Sequence, residues 1–255
     1  VNDEQKARWL EDKQEDERLR ATNDTPTPVS NPNVIHLRRL SFGALCIEGD
    51  CNQPPRSEAM KTLDIDGDMP KLAKAIGLQM GDVCVDAGAF IGDTAEALFK
   101  AGAGEVHAFE PFFDAYVCAV FNNRNNPGVT IYNRPTGNGE RVKLVYDCPG
   151  PNFGMRSVTP DDGPTSFATA RIDELKLPAC KLMKIDVEGA EIPTIIGASE
   201  TIARCRPWLF VEMYAEALAK RGFTPADLEK VIRDRGYELT MWGEPPRWDW
   251  LCRPL

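Results

Sequence analysis

Histidine is nearly missing from this chain: His36 and His107 are the only two in 255 residues. A metal centre built on several imidazoles is therefore excluded. Long apolar runs are missing too. No stretch approaches the roughly 18 residues that cross a bilayer as a helix, and no signal-peptide apolar core is present. The expectation is a cytoplasmic chain without a membrane span, with a secretory-pathway lumen as the alternative if a leader or anchor precedes Val1. Positive charge is in deficit: 30 Lys and Arg face 39 Asp and Glu, for a net charge of −9. A protein that tracks phosphates normally carries a basic stripe, so nucleic acid is not an expected partner. Apolar residues make up 42% of the chain, slightly below the globular average, which implies that part of it lies outside the core.

Cysteine is not scarce, with eight residues. Cys84, Cys118, Cys180 and Cys205 fall within apolar or periodic segments, where a buried thiol is the expected state. Cys46 and Cys51 form a C-x4-C pair in an irregular segment. A local disulfide fits that spacing better than zinc, because no second Cys/His pair follows.

Residues Asp3 to Arg20 are almost all charged or polar, reading as a solvated helix or a disordered segment. Thr25-Pro26-Thr27-Pro28 breaks any helix, and the patch Val34-Ile35-His36-Leu37 is short enough only to dock on a larger body. We divide the chain into an extension, 1–55, and a domain, 56–255. From Asp68 onward the pattern becomes regular, with a helix expected up to Leu78 and others over Thr94–Ala101, Phe113–Asn122, Ile192–Ala198 and Pro225–Arg235. Strands are expected at Val83–Val85, Val106–Phe109, Val129–Tyr132, Val142–Tyr146, Leu182–Ile185, Trp208–Val211, Tyr237–Met241 and Trp248–Cys252. Strands alternating with helices imply an α/β fold whose mostly parallel sheet is covered on both faces.

Several strands end in a carboxylate or a glycine-rich turn, the edge where open α/β sheets bind ligands. The first turn is Asp86-Ala87-Gly88-Ala89-Phe90-Ile91-Gly92-Asp93-Thr94. Gly88 and Gly92 allow close backbone approach and tight helix packing. Eighteen residues after Gly92, Glu110 ends the second strand, where an acid binds ribose hydroxyls; Pro111 and Phe112 follow it. Nicotinamide dehydrogenases share this outline and form the runner-up. The G-x-x-x-G spacing and the acid directly before the turn favour S-adenosylmethionine instead. Asp86 suits its cationic, amine-bearing end and would sit poorly beside a pyrophosphate. Thr136, in the turn after the third strand, is a candidate wall for the adenine.

The run Lys184-Ile185-Asp186-Val187-Glu188-Gly189-Ala190-Glu191 resembles the K-I-D-V-E-G-x-E signature of the FkbM family of methyltransferases. The family's other marks occur in order: D-x-G-A-x-x-G at Asp86–Gly92, Phe109-Glu110-Pro111, Asn152-Phe153-Gly154 followed by Ser157, and Arg171-Ile172-Asp173-Glu174-Leu175. The resemblance covers about Leu78 to Cys252. It implies a Rossmann-like class I methyltransferase with a seven-stranded sheet and S-adenosylmethionine as cofactor. It also implies methylation of a hydroxyl on a small molecule, sugar, glycan or natural product.

Such a transfer needs a base that removes the hydroxyl proton during attack. Glu188 and Asp186 are the candidates, with Glu212 orienting the acceptor or sharing the proton. Glu188 has an alternative role in stabilising a helix N-terminus. Glu191 reads better as a cap or ion-pair partner, and Lys184 as either a structural ion pair or a site residue. Asp186, Glu188 and Glu212 could together hold a magnesium ion instead. Where many relatives carry His or Asn two residues after the fifth-strand Glu, this chain has Tyr214, so the base falls to the carboxylates unless Tyr214 contributes. Phe153 and Met155 suit a lid, and the Trp242–Trp250 stretch suits a sugar face or a core contact. A non-catalytic scaffold that keeps the cofactor pocket is the reading from outside the enzymes.

Overall fold

The computed structural model describes residues 69–145, 156–242 and 249–255, with two backbone strands at 37–39 and 45–47. The charged segment Asp3–Arg20, the Asp68 cap, the Cys46–Cys51 pairing, Asn152 to Met155 and Pro245–Arg247 lie outside the described residues. The first two strands, β1 (Leu37–Arg39) and β2 (Leu45–Ile47), pair antiparallel.

The main sheet contains seven strands: β3 (Val83–Ala87), β4 (Glu105–Phe109), β5 (Val129–Tyr132), β9 (Leu182–Ile185), β10 (Trp208–Glu212), β11 (Tyr237–Trp242) and β12 (Asp249–Pro254). Their spatial order is β11-β12-β10-β9-β3-β4-β5. Every pairing from β10 through to β5 is parallel, and β12 runs antiparallel to both of its neighbours. The chain winds outward from β3 through β4 to β5, then crosses back to place β9 on the other side of β3. That reversal opens a crevice at the carboxyl ends of β3 and β9, where ligands bind in open α/β sheets.

Seven helices lie among the described residues: α1 (Met69–Ala75), α2 (Asp93–Lys100), α3 (Phe113–Asn122), α4 (Glu191–Gly197), α5 (Ser199–Cys205), α6 (Ala215–Lys220) and α7 (Pro225–Arg233). Side chains alternate across the strands, so each strand feeds two cores. Cys84, Leu182 and Phe210 face one core with Leu72 of α1 and Leu98 of α2. Val85, Met183, Ile185, Leu209 and Val211 face the other with Ile195, Ile202, Leu218 and Ile232 from α4 to α7. Helices thus cover both faces, as expected. The cysteines within these segments are free, and Cys84, Cys118, Cys180 and Cys252 are buried.

Some expectations need correction. The strand expected at Val142–Tyr146, seen as β6 (Arg141–Val145), lies outside the main sheet. It is the centre of a three-stranded antiparallel sheet with β7 (Ser157–Pro160) and β8 (Phe167–Ala168). This small sheet packs through Val142, Val158, Leu144 and Phe167 onto Val187 and Ala190, beside the crevice. The first helix ends at Ala75 and gives way to a turn at Gly77, whose φ is 62°. The helix expected over Ile192–Ala198 is α4, and a second helix not expected from the sequence, α5, starts straight after it at Ser199.

Candidate active site

The glycine-rich turn folds over the end of β4. Gly88 N and Ala89 N both donate to the Phe109 carbonyl, at 3.0 and 2.9 Å. Gly88 has a φ of 88°, and a Cβ there would lie 1.7 Å from the Asp186 carbonyl oxygen. Only glycine permits both that conformation and that approach. The turn closes where Asn122 donates to the Ile91 carbonyl and Asn123 to the Gly92 carbonyl, at 2.9 and 2.8 Å. Ala89 and Thr94 are buried beneath it. Nothing in the sequence pattern singles out the two asparagines, which act from the end of a helix about 31 residues away.

Glu110 ends β4 and is buried. Its two carboxylate oxygens accept from Phe90 N at 2.9 Å and Phe112 N at 2.8 Å, tying the glycine turn to the start of α3. Burial pushes this acid up to about 8, against the pull of those amides. Pro111 is half-buried, and Phe112 is buried with the Arg156 guanidinium stacked 4.3 Å above its ring. Arg156 also reaches both carboxylate oxygens of Asp114, at 2.9 and 2.8 Å. Sequence reasoning missed Arg156 and Asp114 because a contact spanning 42 residues has no local signature. The eight candidates from Asp86 to Phe112 therefore share one edge of β3 and β4. Thr136 has a different setting: it is buried, with its hydroxyl 2.9 Å from that of Thr194 on α4.

Across β3, Asp86 pairs in register with Lys184 of β9. Asp86 is fully buried, and neither carboxylate oxygen has a hydrogen-bond partner among the described residues. The Lys184 ammonium lies 3.6 Å from one of them and 3.1 Å from Asp186. Burial pushes Asp86 up to about 6, and Lys184 opposes that rise. Lys184 itself is held above the usual lysine range: burial works against its charge, but Asp186 and Asp86 outweigh it.

Beyond the strand ends, Asp186, Glu188 and Glu212 place carboxylate oxygens within 4.8 Å of one another. All three are half-buried. Burial, then the charges of Asp186 and Glu188, push Glu212 up to about 11. The three groups offer oxygen ligands of the kind a hard divalent cation accepts.

Glu188 has a φ of 50°, rare for a residue with a side chain. Glu191 fixes this turn: its Oε1 accepts from Gly189 N at 3.0 Å and from Val187 N at 3.3 Å. The final acid of the K-I-D-V-E-G-A-E run thus secures the turn around Glu188. Tyr214 donates its hydroxyl to Glu216 at 2.9 Å. His107, within β4, has its Nδ1 3.1 Å from the Tyr132 hydroxyl, while its buried Nε2, 3.4 Å from Glu105, has no hydrogen-bond partner among the described residues. No helix among the described residues is long and apolar enough to cross a membrane.

Comparison with known proteins gives a family. The chain is similar to a methyltransferase FkbM from Methylobacillus flagellatus, with 18% identity, a TM-score of 0.48 and coverage of 78% of this chain and 54% of that one. It thus spans about half the length of the Methylobacillus protein. A SAM-dependent O-methyltransferase from Thermotoga maritima is 13% identical, with a TM-score of 0.48 and coverage of 86% and 77%. A Streptococcus mutans protein solved in complex with SAH is 10% identical, with a TM-score of 0.45 and coverage of 76% and 98%. No curated protein matches the sequence. The family described as the methyltransferase FkbM domain matches residues 86–239, from the Asp86 turn to the middle of β11 and more than half of the chain. The chain belongs to the FkbM methyltransferase domain family.

Proposed function

We propose that this chain is an S-adenosylmethionine-dependent O-methyltransferase, acting on a hydroxyl of a sugar, glycan or natural product. The observation that carries the reading is the convergence of Asp186, Glu188 and Glu212 within 4.8 Å beyond two adjacent parallel strands. Gly88 packs against the Asp186 backbone, which puts that cluster beside the glycine turn.

The cofactor supplies an electrophilic methyl group on a sulfonium. Asp86, Gly88, Ala89, Gly92, Thr94, Glu110, Pro111 and Phe112 form its cradle, with Glu110 set for the ribose hydroxyls. The donor set fits: buried acids stand at the ends of β3 and β4, and Asp86 has no hydrogen-bond partner among the described residues to satisfy its oxygens. An alcohol is too weak an acid to ionise at neutral pH, so proton removal accompanies attack. Glu188 or Asp186 takes that proton. Glu212, within 4.8 Å of both, orients the acceptor or shares the proton. The domain assigned to this work is 56–255, with 1–55 as an appended segment.

Calorimetric titration with S-adenosylhomocysteine, and separately with NAD, tests the cofactor. Ligand at about 100 times its Kd stabilises the fold by about 2.7 kcal/mol, visible as a thermal shift. Binding of S-adenosylhomocysteine alone is the expected result; binding of NAD alone would reverse the assignment. Once an acceptor is found, a chelator separates the base from a bound cation. Lys184 already lies 3.1 Å from Asp186 and offsets part of its charge, so EDTA is expected to leave turnover unchanged. Loss of turnover with EDTA and recovery with magnesium would give the role to a metal held by Asp186, Glu188 and Glu212.

A further inference from the structure

Lys184 occupies the centre of the sheet, where apolar side chains are the rule. On its strand, Leu182, Met183 and Ile185 are buried with it. The ammonium lies 3.6 Å from Asp86 on β3 and 3.1 Å from Asp186 beyond β9. Asp93, in the first turn of α2, adds a third negative charge nearby. Lys184 is thus the cation that bridges two carboxylates, one of them fully buried.

We infer that Lys184 is a positioning residue: its ammonium bridges the Asp86 and Asp186 carboxylates across β3 and β9 and fixes where they meet the amine-bearing amino-acid end of the cofactor. The inference rests on the S-adenosylmethionine reading above. Lys184 is 5% exposed, so it acts through the two acids and does not itself present its charge to the ligand. Without it the two carboxylates lose the group that bridges them, and the ligand ammonium no longer meets them in place. The nucleoside end of the site, formed by Glu110 and Phe112, is on the next strand and keeps its contacts.

Two ligands separate these ends. S-adenosylhomocysteine carries the amino-acid group; 5′-methylthioadenosine has the same nucleoside and sulfur without it. In Lys184→Met, affinity for S-adenosylhomocysteine is expected to fall at least tenfold by calorimetry, while affinity for 5′-methylthioadenosine stays within about twofold. Lys184→Arg keeps the charge and is expected to restore the ratio of the two affinities. If Lys184→Met does not fold, Lys184→Gln, polar but uncharged and too short to span both acids, is expected to show the same selective loss. Equal loss of both ligands makes Lys184 a packing residue and overturns the inference. So does an unchanged or tighter hold on S-adenosylhomocysteine. If the unaltered protein binds neither ligand, the cofactor reading itself has failed, a result distinct from either of these.

Discussion

Glu188 adopts a backbone conformation that ordinary residues avoid, with a φ of 50°, and such strain persists where surrounding contacts enforce it. Here the enforcing contacts come from Glu191, which accepts from the amides on either side of Glu188. Glu191→Ala strips that acceptor and is expected to cost about 1–3 kcal/mol of stability in urea unfolding. Glu191→Gln keeps a carbonyl oxygen and should lose less. If the alanine variant matches the parent protein, Glu191 is not what secures the turn. The chemistry gives a separate prediction for Glu188 itself. With Glu188 as the proposed base, Glu188→Gln preserves the shape and removes the proton acceptor, so methyl transfer should drop about 100-fold or more while S-adenosylhomocysteine affinity stays within about twofold. Retained turnover would move the base to Asp186. Asp86, Glu110, Asp186 and Glu212 were legible in the sequence because each ends an apolar run, and a strand end is where an α/β sheet exposes its chemistry. Asn122, Asn123 and Arg156 were not, since each works through a partner distant in sequence that no spacing rule reaches.

At the scale of elements, the strands of the main sheet declare themselves because burial on both faces demands continuous apolar runs. β3 and β9 are of this kind: four of five residues in one and all four in the other are buried. The short strands β7 and β8 carry no apolar run to declare them: β7 is Ser-Val-Thr-Pro, and β8 is only Phe167-Ala168. β6 shows the limit of periodicity, which marks a strand without naming its partner. Helix α5 depends on a contact of this non-local type. Asp173, in a short 3-10 turn at Ile172–Leu175, accepts from Glu200 N at 3.1 Å and from Thr201 N and Oγ1 at 2.8 Å. It caps α5 from 27 residues away, doing what an N-cap side chain does locally. Asp173→Ala leaves these donors unmet and is expected to lower stability by about 1–2 kcal/mol, with Asp173→Asn recovering part of it. A thermal midpoint unchanged in the alanine variant would show that water serves as well.

Taken as a whole, the molecule gathers buried and half-buried acids from four adjacent strands at one sheet edge, and that arrangement gives its stability a direction in pH. Burial raises Glu110 to about 8, Glu191 to about 7 and Glu212 to about 11. In the unfolded chain these groups ionise at about 4.3. Between these limits the folded protein holds protons that the unfolded chain has released, so stability is greatest at acid pH and falls as pH rises through each folded value. Each group contributes at most about 1.4 kcal/mol per pH unit within its own window. The net charge of −9 drives stability the same way through general repulsion, so the slope of the parent protein alone proves little. The difference between variants isolates the buried groups. Glutamine does not titrate: relative to the parent, Glu191→Gln should gain stability from about pH 5 to 7 and then level off. Glu110→Gln should go on gaining to about pH 8. Urea unfolding at pH 5, 7 and 9 reads both curves. Flat differences would mean that these acids are ionised in the folded protein, with water or a cation meeting the charge that burial makes costly.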